Sequence, residues 1–112
     1  MCGIAGLIAP APSEKGAAAV RAMVDALVHR GPDGRGVVAE GPAVLGHARL
    51  AILDPAGGAQ PMAGRPGTWI VHNGEVYNSP DLRRELASSW SFRTTTDTEV
   101  VLAGYDRWGK GS

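Results

Sequence analysis

MCGIAGLIA, residues 1–9, decides how the chain is read. Residues 3–9 form a short apolar run closed by Pro10, the length and composition of a β-strand, and the run leaves Cys2 at the strand's starting end. A cysteine in that position has two readings. It is a small apolar residue opening a buried strand, or, once Met1 is removed, a thiol that shares its residue with a free α-amine. An α-amine has an unperturbed pKa of about 7.7 to 8.0 beside a thiol near 8.5, so at neutral pH part of it is unprotonated. That part can take the thiol proton directly or through a water, with no histidine or aspartate partner.

Outward from this strand, Ala17, Val20, Met23, Val24, Leu27 and Val28 recur at helical spacing, with Ser13 as the cap and Gly31-Pro32 ending the run. HRGPDGRG, residues 29–36, mixes three glycines and a proline with charged groups and reads as an ordered loop rather than a regular element. Residues 37–39 and 43–53, separated by Gly41-Pro42, read as an antiparallel pair. Residues 54–66 read as a second Gly/Pro-rich loop, and 68–72 with 75–77 flank Asn73-Gly74, the strongest short-range hairpin signal. Ser79-Pro80-Asp81 starts a helix as cap, first-turn proline and first-turn acid, with Leu82 and Leu86 as its buried stripe. A last helix is expected over 98–108, with Val100, Val101, Leu102, Tyr105 and Trp108 as apolar positions and Gly109 beyond its end. The order implies an α+β domain over 1–109 with a tail at 110–112: about five mostly antiparallel strands, with helices on one or both faces.

The 112 residues allow one domain with a real core, and 16 glycines and 8 prolines argue against a bundle or coiled coil. Eleven basic groups balance eleven acidic ones without forming a basic stripe, so no nucleic-acid partner is expected. The leading apolar run is too short to span a bilayer and lacks the basic flank of a secretory signal, which implies no membrane and a cytoplasmic location. The single cysteine and the scattered His29, His47 and His72 give neither an internal disulfide nor metal-ligand spacing.

MCGIAG (1–6), HRGPDGRG (29–36), GHARLAILD (46–54) followed by QPM (60–62), HNGEVYN (72–78), LRREL (82–86) and TDTEVVLAGYDRWG (96–109) resemble, in order, the glutaminase domain of asparagine-synthetase-type class II amidotransferases. The resemblance implies an N-terminal-nucleophile, Ntn-hydrolase-like αββα sandwich, here only its N-terminal portion. It implies hydrolysis of L-glutamine to glutamate and ammonia through a Cys2 thioester. It needs no cofactor in this chain, since ATP and magnesium belong to a synthetase domain that lies outside it. That domain or a second chain, including another copy of this one, is the implied partner.

The resemblance also assigns roles. Arg49 would hold the substrate α-carboxylate, a task for a planar fork of donors that keeps its charge; as a strand residue it could equally cap a sheet edge. Leu50, Ala51, Ile52 and Leu53 would line the pocket beside it. Asn73 and Gly74 would offer a side-chain amide and a backbone N–H to the oxyanion, which is compatible with their reading as a tight turn. Glu75 and Asp97 would face the α-ammonium, although Asp97 also reads as a helix cap. Arg30 and Asp33 would support the loop near the nucleophile and could pair with each other.

Gly104, Gly109 and Lys110 approach a phosphate-loop pattern, but Gly111 replaces the hydroxyl residue and the context is a helix end rather than a strand-to-helix turn. Three functions stay open on sequence. They are an active glutaminase module, a catalytically silent piece completed by a partner chain, and a small α+β binding domain whose motifs are only turns, caps and core.

Overall fold

The computed structural model describes residues 2–11, 13–50 and 57–109. The elements in chain order are β1 (Gly3–Ile8), α1 (Glu14–Ala26), β2 (Gly34–Glu40), β3 (Ala43–Arg49), β4 (Met62–Ala63), β5 (Trp69–Ile70), α2 (Ser79–Leu86) and α3 (Asp97–Trp108). The architecture is α+β, with a three-stranded antiparallel sheet of order β1-β3-β2 and a two-stranded antiparallel sheet of β4 and β5.

β3 is central because its alternation suits burial on both faces. Val44, Gly46 and Ala48 point toward α1, and Val44 and Ala48 join Val20 and Val24 of the helix in a buried cluster flanked by Ala5, Leu7, Leu27 and Val37. Gly46 is required there: a Cβ would lie 2.4 Å from Val24 and 2.7 Å from Val20, so the helix sits on bare backbone. Ser13 caps α1 as the sequence predicts, accepting from the Lys15 and Gly16 amides. Met23 and Val28, however, lie on the exposed side of the expected stripe. The β2–β3 hairpin turns on Gly41, at φ +56°, and Pro42.

β2 begins at Gly34, inside the segment expected to be all loop. The three residues Gly34, Arg35 and Gly36 pair with Arg49, Ala48 and His47, and Gly36 is narrow enough to pass Gln60, whose carbonyl would be 2.2 Å from a Cβ. The Asn73-Gly74 hairpin does not form between 68–72 and 75–77. β5 pairs instead with β4, a strand within the expected 54–66 loop, through the turn in which Gly64 N–H donates to Thr68 O and Thr68 N–H to Arg65 O. The intervening Gly67 takes φ +86°.

α2 has Asn78 rather than Ser79 at its N-cap, without a side-chain cap bond, so Pro80 sits one position later than expected. α3 starts one residue earlier than expected; Thr96, not Asp97, is its cap, accepting from the Glu99 amide. Leu86, Val100 and Ala103 form a second buried cluster with Leu82, Trp90 and Phe92 around it. Tyr105 and Trp108, expected in the apolar stripe, are 47% and 40% exposed because Leu102, Ala103 and Gly104 take the inward face. Among the described residues no helix is long and apolar enough to cross a membrane.

Candidate active site

A cavity of about 360 Å³ opens where the end of β3 meets the segment after β5 and the start of α3. One wall is laid down by the three-stranded sheet. Cys2 precedes β1 and Arg49 ends β3, so the strand pairing of Gly3 with Ala48 brings residues from opposite sides of α1 side by side. The Cys2 thiol is enclosed by one backbone unit: the Leu50 N–H donates to Sγ at 3.3 Å, and Sγ lies 3.7 Å from the Leu50 carbonyl. A backbone N–H aimed at sulfur is a ready donor for negative charge developing there.

The loop of residues 29–33 buttresses this wall. Arg30 Nε donates to the Cys2 carbonyl at 3.2 Å, and the Asp33 N–H donates to the Arg49 carbonyl at 2.8 Å. Gly31 packs so closely that a Cβ would stand 2.3 Å from the Ala48 carbonyl oxygen and 2.6 Å from the Arg49 carbonyl carbon. The loop therefore fixes the backbone on either side of the thiol and the guanidinium.

The facing wall is assembled by side chains. The His72 N–H donates to Gln60 Oε1 at 2.6 Å, the His72 carbonyl accepts from His47 Nε2 at 3.2 Å, and the Val76 N–H donates to Asp97 Oδ2 at 3.0 Å. Asn73, Gly74 and Glu75, between these anchors, face the cavity and are exposed. Asp97 is delivered by the first turn of α3, and that turn is held by Glu99. The carboxylate of Glu99 is fully buried and accepts from Trp90 Nε1, the Arg93 and Thr94 amides and the Thr94 hydroxyl at 2.7 to 3.2 Å. Burial alone would push this carboxyl up, but those bonds outweigh it and hold the pKa below the usual carboxylate value.

His47 is fully buried on β3. Burial pushes its pKa down, the bond to the His72 carbonyl pulls it up, and the charges of Arg49 and His72 push it further down, leaving it below the ordinary value. A carbonyl can only accept, so Nε2 carries the proton and Nδ1, which has no partner among the described residues, is the unprotonated nitrogen.

The structure gathers Cys2, Arg49, Leu50, Asn73, Gly74, Glu75 and Asp97 around one cavity. Ala51, Ile52 and Leu53 lie outside the described residues. Sequence reasoning overlooked Gln60, His72, Thr96 and Thr98, which share the lining. Adjacency was their available signal: His72 precedes Asn73, and Thr96 and Thr98 bracket Asp97. Among the described residues no group of three or more His, Cys, Asp or Glu is placed to hold a metal ion.

Comparison with known proteins agrees with this arrangement. A family model described as a glutamine amidotransferase domain matches residues 1–112. Asparagine synthetase [glutamine-hydrolyzing] 3 of Bacillus subtilis (strain 168) is 48% identical over 91 residues, covering 77% of this chain and 15% of the relative. Asparagine synthetase B [glutamine-hydrolyzing] of Escherichia coli (strain K12) is 44% identical over 82 residues, 72% of this chain and 15% of the relative. The root asparagine synthetase [glutamine-hydrolyzing] of Pisum sativum is 39% identical over 112 residues, 98% of this chain and 19% of the relative. The chain thus spans less than a quarter of the length of these relatives. With the family model matched from the first residue to the last and the thiol, guanidinium and carboxylates on one cavity, the chain belongs to the class II glutamine amidotransferase family.

Proposed function

We propose that this cavity hydrolyses the side-chain amide of L-glutamine to glutamate and ammonia through a thioester on Cys2. The observation that carries the reading is the convergence of Cys2, Arg49, Asn73, Gly74, Glu75 and Asp97 on one cavity from distant parts of the chain. Its charges suit a free amino acid. Arg49 at the end of β3 matches an α-carboxylate, while Glu75 and Asp97 on the facing wall match an α-ammonium. Asp97 accepts from the Val76 amide through Oδ2, which fixes the carboxylate at the cavity wall.

Once Met1 is removed, the α-amine of Cys2 takes the thiol proton and the sulfur attacks the amide carbon. The amide oxygen becomes an oxyanion, for which the Asn73 side-chain N–H and the Gly74 backbone N–H are the donors; one such donor is worth about 2.7 to 4 kcal/mol. Collapse breaks the C–N bond, and the proton held by the amine passes to the nitrogen, which leaves as ammonia. Water, deprotonated by the same amine, then cleaves the thioester to release glutamate and restore the thiol.

The fold reading that goes with this is an αββα sandwich. It is supported by the sequence of layers: α1 on one face of β1-β3-β2, Gln60 and Pro61 against the other face at Gly36, Trp69 of β5 donating to Glu40 of β2 at 3.1 Å, and Gly64 beside β4 packed on Leu102 of α3.

A second reading is favoured by one observation. Ile4 and Ile8, on the edge strand β1 and on the face away from α1, are 49% and 80% exposed. A chain with such a face is silent alone and becomes active when a further domain or a partner chain, the natural place for ATP and magnesium in a synthetase, covers it.

The test is glutamate release from glutamine by a chain whose intact mass shows Cys2 as its first residue. Release that disappears in Cys2→Ala supports the first reading, and release appearing only after a synthetase chain is added supports the second. Equal release by Cys2→Ala would overturn both.

A further inference from the structure

Residue 72 is held more tightly than its place beside an exposed loop requires, and the hydrogen-bond directions around it follow from the groups that can only donate and from the tautomer of its ring. A backbone N–H only donates, so the 2.6 Å contact from the His72 amide fixes the oxygen of the Gln60 side chain and leaves Gln60 Nε2 to donate to Thr98 Oγ1 at 3.3 Å. The Thr98 hydroxyl, 4% exposed at the start of α3, has then accepted one bond and has one proton to place. In the tautomer with Nδ1 unprotonated, His72 Nδ1, 3.2 Å away, accepts that proton. A closed ring results: His72 amide to Gln60, Gln60 to Thr98, Thr98 back to the His72 imidazole. It places the imidazole proton on Nε2, the nitrogen that lies 3.4 Å from where a Cβ on Gly74 would stand.

We infer that His72 is a positioning residue for the oxyanion donors, locking the Asn73-Gly74 segment in place through its ring with Gln60 and Thr98. The inference rests on the glutaminase reading for its kinetic consequence and on the hydrogen-bond geometry alone for its structural one. Three elements meet at this residue: Gln60 from the approach to β4, Thr98 from α3 and His47 from β3, the last donating to the His72 carbonyl at 3.2 Å. The three residues that follow, Asn73, Gly74 and Glu75, face the cavity before the chain is caught again at Val76 by Asp97. Removing the imidazole from the ring frees one side of that span. Arg49, which would bind the carboxylate end of the substrate, stands on the other wall and is untouched. Glu75 lies next to the Val76 anchor, which Asp97 holds without the ring, so the loss falls mainly on the transition state and only slightly on ground-state binding.

The first test needs no turnover. Nitrogen-15 spectra of the histidine rings in the full chain are expected to show His72 protonated at Nε2, with an acceptor Nδ1 whose resonance shifts when Thr98 is replaced by valine. A ring protonated at Nδ1, or one indifferent to Thr98→Val, overturns the inference. The second test is kinetic. His72→Val and Thr98→Val should each lower kcat about three- to tenfold with KM changed less than about twofold, and the double variant should lose no more than either single one. His72→Asn, whose amide oxygen can stand where Nδ1 stood, should recover most of the rate. Additive losses, losses confined to KM, or no recovery by asparagine overturn it, with melting curves establishing that each variant is folded. If the unmodified chain released no glutamate even with a synthetase chain added, the glutaminase reading would fail while the spectra still decided whether the ring exists.

Discussion

The wall of the cavity that carries Cys2 and Arg49 is held by strand pairing and apolar packing, whereas the wall that carries Asn73 and Asp97 is held by side chains bonded to backbone. On the first wall, β3 is paired on both edges and clamped to α1 through Val20, Val24, Val44 and Ala48. On the second, β5 contributes two paired residues, and residues 72–76 run on without strand structure, tied by Gln60, His47 and Asp97. Backbone ladders resist single substitutions because no side chain is needed to make them; side-chain anchors fail one residue at a time. In the proposed reaction the attacking sulfur thus sits on the sturdier half and the proposed oxyanion donors on the more easily adjusted one.

The contrast breaks most sharply where the first wall has no room. Gly31→Ala would drive a methyl into the backbone of Ala48 and Arg49. The cost is expected at about 1–3 kcal/mol or more, read as a fall in melting temperature together with loss of glutamate release. A small residue tolerated there without either change would show that the sheet wall yields as readily as the other.

The second wall is probed at Glu99. Glu99→Gln removes the charge that the amides of Arg93 and Thr94 and the indole of Trp90 share, and is expected to cost about 1–3 kcal/mol at neutral pH. The sign of the pH effect follows from the depressed folded pKa. Its stabilisation is fully present above the ordinary value of 4.5 and is lost as pH falls through the lower folded value. Unfolding measured between pH 7 and pH 3 should therefore show an acid limb that flattens in Glu99→Gln, and an unchanged limb would assign it elsewhere.

The smallest effect sharpens the comparison at the seam of the two walls. His47 has a folded pKa below its ordinary 6.5, so stability is full above that pH and declines as pH drops toward the folded value, because only the unfolded chain takes up the proton. Chemical denaturation at pH 7.5 and 5.5 should show the decline, and His47→Gln should remove it. A chain equally stable at both pH values would mean that the imidazole titrates alike in the folded and unfolded states, and one more stable at pH 5.5 that it is protonated on folding.

How much of this was legible in the sequence follows the same division. β1, α1 with its Ser13 cap and the β2–β3 pair could be read from periodicity and turn chemistry, since local pattern and packing agree there. The β4–β5 pair and the fate of Asn73-Gly74 could not. Their outcome depends on Gln60, His47 and Asp97 reaching across from distant segments, and no local propensity encodes that competition. The start of β2 inside HRGPDGRG was hidden for a related reason, because Gly36, which looks like a loop residue, is there to pass Gln60. For the site, the residues with charge or a reactive atom were legible and those that aim them were not. Thr98 and Glu99 stand in the same motif as Asp97, yet only the folded hydrogen-bond pattern separates their tasks.

One consequence concerns the peptide unit of Leu50, whose amide and carbonyl flank the Cys2 sulfur. The location of that atom is dictated from the far end of β3, so lengthening the polypeptide upstream of the second residue would leave it where it stands. A variant extended by one residue is therefore expected to fold with its sulfur in register and only the proposed proton acceptor withdrawn. That separates the contribution of the base from the contribution of the nucleophile in a way that altering the cysteine itself cannot.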